Sequence, residues 1–248
     1  MLARIGICLT FTLLLTDSLF SQSEIFYPRV YDYPDLSVEG VTKRAHIEAV
    51  MDSMNMGLIS PDERTPEENR WYDEYEEIYA NPFSTAPVGC SWYCAAEPDT
   101  LMSTSVLASK ANAYKAEHLH DWDLRTAWVE GLPGEGIGAT ATIDFDFRHS
   151  NPQLRMHTVY IYNGYCKSEE LWQKNGRAKE LIIYVNGSRI GVLKLEDTYR
   201  MQQFSVGEHV AGESGILSVT FEIKSTYPGT HYTDTAISEI NFNGSGDH

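Results

Sequence analysis

From about residue 100 onward, apolar and polar side chains alternate with a period of two. Ala141, Ile143, Phe145 and Phe147 alternate with Thr142, Asp144 and Asp146; Leu217, Val219, Phe221 and Ile223 alternate with Ser218, Thr220 and Glu222. Successive residues of a strand point to opposite faces, so this pattern predicts strands with one buried face and one solvated face. Val159 and Ile161 mark another strand, and Leu181, Ile183 and Val185 one more. Asn186-Gly187 then supplies two residues that tolerate positive φ, which predicts a tight hairpin into residues 190–195. Residues 201–206 and 236–242 add further strands. Short strands separated by turn signals predict a mainly β, antiparallel sandwich. The lack of a long helix between them argues against a parallel α/β sheet.

Before residue 88 the pattern is different. Residues 23–37, rich in Tyr, Pro and Asp, read as an extended linker. A first helix is predicted from a cap at Thr42 to about Met56, with Ala45, Ala49 and Val50 along one side. The second is punctuated more sharply, because Thr65, Pro66 and Glu68 form a capping box with proline at the first helical position. Trp71, Tyr75, Ile78 and Tyr79 then recur at helical spacing, and Asn81-Pro82 ends the run. That stripe reads as the face that docks the helix onto its own domain.

The first residues look like an export signal: Arg4, an apolar stretch over residues 5–20, and the small residue Ser21 before a cleavage point near Gln22. The stretch is short for a membrane span of about 20 residues. No second such run follows, so the mature chain is expected to carry no membrane span and to be secreted or periplasmic. The expected organisation is a signal peptide over 1–21, a linker and helical segment over 22–87, and a β-sandwich over 88–248. Loss of Cys8 with the signal leaves Cys90, Cys94 and Cys166, an odd number whose pairing spacing does not fix. No second close Cys/His pair supports a zinc site. A net charge of -16 opposes phosphate backbones and anionic lipid surfaces, so neither nucleic acid nor an anionic membrane is an expected partner.

Three segments carry a resemblance. His120-Asp121-Trp122-Asp123-Leu124-Arg125-Thr126-Ala127-Trp128, followed by the glycine-rich residues 134–138, is similar to the Asp-Gly-Asp-x-x-Thr-x-Trp pattern of discoidin-like (F5/8 type C) domains. Asn163 to Ser168, with Trp172, Asn175, Arg177 and Lys179, is the second segment. Residues 227–232, with Asp234, Ile237, Ser238 and Glu239, are the third. In this order, and with the Cys90 to Cys94 segment before them, they resemble the subgroup named after the translocation domain of NAD glycohydrolases, over residues 88–243. The resemblance implies a jelly-roll-like, galactose-binding-type sandwich whose end loops bind carbohydrate without cleaving it. It also implies that Trp128 packs inside the sandwich.

A structural Ca²⁺ is the one cofactor this reading admits. Asp121, Asp123 and Thr126 place oxygens in one short loop, and Glu239 would return from the last strand. Such a cation takes about six to eight oxygens. Trp122 stands where the family pattern has glycine, which works against the tight turn that a metal would need. The alternative is a pair of aspartates stabilising the turn through backbone hydrogen bonds.

Glycan binding needs flat apolar faces for pyranose rings and fixed polar groups for hydroxyls. Tyr165 and Trp172 offer the faces, and Lys167, Asn175 and Arg177 the polar groups; Tyr232 and Asp234 would join them from a late loop. The plain alternative is that the aromatics cover the edge of the core. Glu130 and Glu135 invite a glycoside-hydrolase reading, but nearness in a loop says little about the distance between carboxylates. The expected function is therefore an exported, non-catalytic module for an extracellular glycan or cell-surface ligand. The alternative is a protein-interaction module, with a glycoside hydrolase behind it.

Overall fold

Alternation in the sequence becomes two packed layers of strands. The structure, a computed structural model, describes residues 24–70, 92–94, 96, 98–110, 112–148 and 154–245. In chain order these form β1 (Glu24–Phe26), β2 (Arg29–Val30), α1 (Val38–Asn55), β3 (Pro98–Ser103), β4 (Trp128–Val129), β5 (Thr140–Asp146), β6 (Arg155–Asn163), α2 (Glu169–Lys174), β7 (Gly176–Val185), β8 (Ser188–Lys194), β9 (Gln202–His209), β10 (Ile216–Tyr227) and β11 (Thr235–Ser245). One layer runs β2-β9-β6-β11, with β4 also on β11; the other runs β1-β8-β7-β10-β5-β3. They touch where the start of β11 pairs in parallel with β7, Thr235 opposite Gly176 and Ala236 opposite Arg177.

The core lies between the layers. Phe145 and Phe221 from one layer meet Phe242 from the other, with ring centroids 5.2 and 6.3 Å apart. The alternating apolar positions of β5 and β10 all point into this core, and Ile143, Phe145, Leu217, Val219, Phe221 and Ile223 are buried. Burying each such side chain contributes roughly 1.5–3 kcal/mol. Trp128 is buried as expected, its indole N–H donating to the Ser105 carbonyl at 3.0 Å. Asn186 (φ 49°) and Gly187 (φ 76°) make the hairpin between β7 and β8 with both central residues left-handed.

Two readings of the N-terminal segment are corrected. Helix α1 starts at Val38, and its cap is Ser37, whose hydroxyl accepts from Gly40 N at 3.1 Å. Thr42 lies inside the helix and donates back to the Val38 carbonyl. The earlier start is set by Asp35, which accepts from Ser37 N at 2.9 Å and packs so closely that a Cβ on Gly40 would lie 2.4 Å from its Cγ. The segment read as a linker also does more than connect. β1 pairs in parallel with β8, β2 pairs with β9, and Tyr31, Tyr33 and Leu36 pack on Tyr160, Tyr162 and Met201. Residues 24–36 thus cross from the edge of one layer to the edge of the other.

The Thr65–Glu68 capping box forms, with both reciprocal bonds present at 2.8 and 3.1 Å. The aromatic stripe from Trp71 to Tyr79, the Asn81-Pro82 stop, Cys90 and the signal over 1–21 lie outside the described residues. Among the described residues, no helix is long and apolar enough to cross a membrane.

Candidate ligand-binding site

One end of the sandwich is built from two loops bonded to each other. After β6 the chain turns at Gly164 (φ 90°), and Ser168 caps α2 by accepting from Leu171 N at 3.2 Å. The last carbonyls of a helix lack partners within it. Here the loop after β10 supplies them: Thr230 N donates to Gln173 O, and His231 N and Tyr232 N to Lys174 O, at 2.9, 3.1 and 2.8 Å. The contact is so close that a Cβ on Gly229 would lie 2.4 Å from Lys174 O.

The residues expected to contact ligand from residues 163–177 are mostly committed to the protein itself. Tyr165 is 8% exposed and donates its hydroxyl to the Arg125 carbonyl at 3.2 Å. Asn175 is buried and donates to the Leu171 carbonyl at 2.8 Å. Arg177 is 6% exposed, forks onto Asp197 at 2.7 and 3.1 Å, and donates to the Asn175 carbonyl at 2.9 Å. Trp172 is half-buried; its indole N–H donates to the Asn163 carbonyl at 2.8 Å, and Tyr199 meets it edge-on. Tyr165, Asn175 and Arg177 are thus enclosed and bonded within the protein, and Trp172 lies half-buried at the edge of the core. The cause is local: the tight turn at Gly164 folds α2 back over these side chains. Lys167 and Tyr232 remain exposed at this end, and Asp234 is half-buried. His231 meets the Tyr232 ring edge-on at 4.5 Å. Cys166 is buried as a thiol, 3.6 Å from the Asn163 carbonyl.

The four candidate calcium ligands do converge. Asp121 accepts from Thr126 Oγ1 at 2.9 and 2.8 Å and from Asp123 N at 3.1 Å, and lies 2.7 Å from His118 Nδ1. Glu239 is fully buried and accepts from Asp123 N at 3.1 Å and Asn241 Nδ2 at 3.2 Å. Burial, and then the hydrogen bond with Asp121, push the Glu239 carboxyl well above the usual range. In its protonated form Glu239 can donate to Asp121, which removes the repulsion between the two carboxylates. The donor set does not fit calcium: the Asp123 carboxylate is turned away onto Arg125 at 2.7 and 3.0 Å. Among the described residues, no group of three or more His, Cys, Asp or Glu could hold a metal ion. Trp122 does not prevent the turn. It adopts the left-handed conformation itself, at φ 60°.

Sequence reasoning missed a second feature beside this turn. Tyr93, Pro98, Leu101, His120 and Trp122 line an open recess of about 250 Å³. Trp122 is 50% exposed, and its ring lies 5.0 Å from Tyr93 and 5.1 Å from His120, both near edge-on. Tyr93 is fixed by accepting from Phe242 N at 2.7 Å. His120 Nδ1 lies 2.8 Å from the Ile240 carbonyl, which can only accept, so Nδ1 carries the proton. Burial lowers the His120 pKa, which favours the neutral ring. Its Nε2 is buried and has no hydrogen-bond partner among the described residues. The signal in the sequence was Trp122 itself, a large ring standing where the pattern has glycine.

The carboxylates weighed for hydrolysis have structural partners. Glu130 is fully buried and accepts from Thr235 N at 3.1 Å and Leu132 N at 2.7 Å. Glu135 accepts from the Thr226 hydroxyl at 2.8 Å.

A family model described as the NAD glycohydrolase translocation F5/8 type C domain matches residues 92–243. Similar solved structures include the CBM32-1 and CBM32-2 domains of Clostridium perfringens ZmpB in complex with GalNAc, at 12% identity and TM-score 0.45, covering 84% of this chain and 49% of that one. The CpGH89CBM32-5 module from Clostridium perfringens, in complex with GalNAc-β-1,3-galactose, matches at 14% identity and TM-score 0.43, covering 58% of this chain and 94% of that one. The C-terminal domain of a Bacteroides fragilis chitobiase matches at 15% identity and TM-score 0.40, covering 62% of this chain and 96% of that one. This chain spans about half the length of the two-module ZmpB structures. No curated protein matches it.

Proposed function

The chain belongs to the NAD glycohydrolase translocation F5/8 type C domain family, and from that premise we propose that it is an exported, non-catalytic glycan-binding module. The observation that carries the reading is the pair of loops bonded into one end of the sandwich. Three backbone bonds to α2 fix the loop that carries Tyr232, which is 45% exposed. An exposed phenol on a rigid loop suits the apolar face of a pyranose, because little conformational entropy is lost when the sugar docks. Lys167 and Asp234, on the same two loops, supply polar groups of both signs for hydroxyls. Glu130 is held by two backbone N–H groups, which supports a structural rather than a hydrolytic role. Export rests on Arg4, the apolar run after it, and Ser21.

The experiment is Tyr232→Ala, compared with wild type for binding to arrayed glycans and for melting temperature. The reading expects affinity to fall at least tenfold with melting unchanged. Unchanged glycan binding would move the site away from this end.

A further inference from the structure

We propose that the recess lined by Tyr93, His120 and Trp122 is a second ligand site, separate from the loop end, that takes a single polyhydroxylated ring such as a pyranose.

Three independent observations converge on it. Trp122 holds a left-handed backbone at φ 60°. Only glycine adopts that conformation without cost, and a bulky residue kept there points to a use for its side chain. Half of the Trp122 surface nonetheless stays in water, beside two rings that lock its position. His120 then presents a buried Nε2 with no hydrogen-bond partner among the described residues. Because Nδ1 carries the proton toward the Ile240 carbonyl, Nε2 is an acceptor. A buried acceptor left unpaired is costly, and a ligand hydroxyl would satisfy it.

The lining selects the ligand class. Pro98 and Leu101 make an apolar wall, and none of the described lining residues is Lys or Arg, so phosphates and carboxylates meet no cation among them. A quaternary ammonium would suit the aromatic rings but cannot donate to Nε2. A volume of about 250 Å³ falls just below the roughly 300–1,000 Å³ of drug-sized sites. That size suits one ring better than an oligosaccharide. An apolar ring face against Trp122, with one hydroxyl donating to His120 Nε2, meets all of these conditions.

The test is a nuclear magnetic resonance titration of the mature chain with methyl galactopyranoside, methyl glucopyranoside and methyl mannopyranoside, with choline as the control. The signals followed are the Trp122 indole N–H and the His120 imidazole. At least one glycoside is expected to shift both signals, and choline neither. Trp122→Gly removes the ring but suits the backbone, so it should weaken the shifting glycoside at least tenfold while its melting temperature is unchanged or higher. Wild-type affinity in Trp122→Gly overturns the proposal, as does a response to choline without one to any glycoside. Shifts confined to signals of residues 228–234 reject this recess while leaving the loop-end reading intact. No shift anywhere rejects both.

Discussion

The guanidinium carbon of Arg177 lies 4.5 Å from the centre of the Trp172 ring, while the same guanidinium forks onto Asp197. Two residues whose chemistry suits sugar binding are thereby spent on each other. Their contacts tie α2 to the end of the sandwich.

Trp172→Ala should therefore cost stability, about 2–4 kcal/mol for a half-buried aromatic. Arg177→Ala should cost roughly 2 kcal/mol by removing charge-assisted hydrogen bonds. Urea unfolding measures both. Loss of ligand binding with unchanged stability would contradict this account and restore the two residues as direct contacts.

This contrast shows what the sequence can express. Strand alternation repeats over several residues and reports directly which face is buried, so β5, β7, β10 and β11 are legible, and so is the family. Whether Tyr165 or Arg177 faces water depends on how one turn at Gly164 folds a six-residue helix back, and no local periodicity reports that. The recess was harder still, because Tyr93 and Trp122 come from segments far apart in the sequence and their rings meet only in the folded chain. The edge strands β1 and β2 are three and two residues long, too short for alternation to show.

The strap formed by residues 24–36 makes a prediction about fragments. A chain beginning at residue 88 lacks β1 and β2 and uncovers Tyr160, Tyr162 and Met201. It should be β-rich by circular dichroism but melt several degrees below a chain beginning at residue 24. Equal melting temperatures would show that the strap contributes nothing to the sandwich.

Glu239 predicts a pH dependence. Its pKa is raised in the folded state by burial and by Asp121, above roughly 4.3 in the unfolded chain. Its stabilising contribution is thus full below about pH 4.3 and lost as pH rises through the folded value. Glu239→Gln can still donate to Asp121 and should flatten this fall in a series of urea melts. Since the donor set does not suit calcium, neither a chelator nor added Ca²⁺ should move the melting temperature. A clear rise with Ca²⁺ would contradict the proton-sharing arrangement.

Export predicts a defined mature N-terminus. Mass spectrometry of the protein from its native host should find a start between about Gln22 and Ile25. An intact chain beginning at Met1 inside the cell would refute export with signal removal.

Glycan binding is the central claim, and a glycan array probed with the mature chain tests it most directly. The account predicts that a subset of arrayed sugars is bound, that the matching free sugar competes, and that the bound sugars are recovered uncleaved. A folded protein that binds no glycan on the array, or one that hydrolyses what it binds, would contradict it.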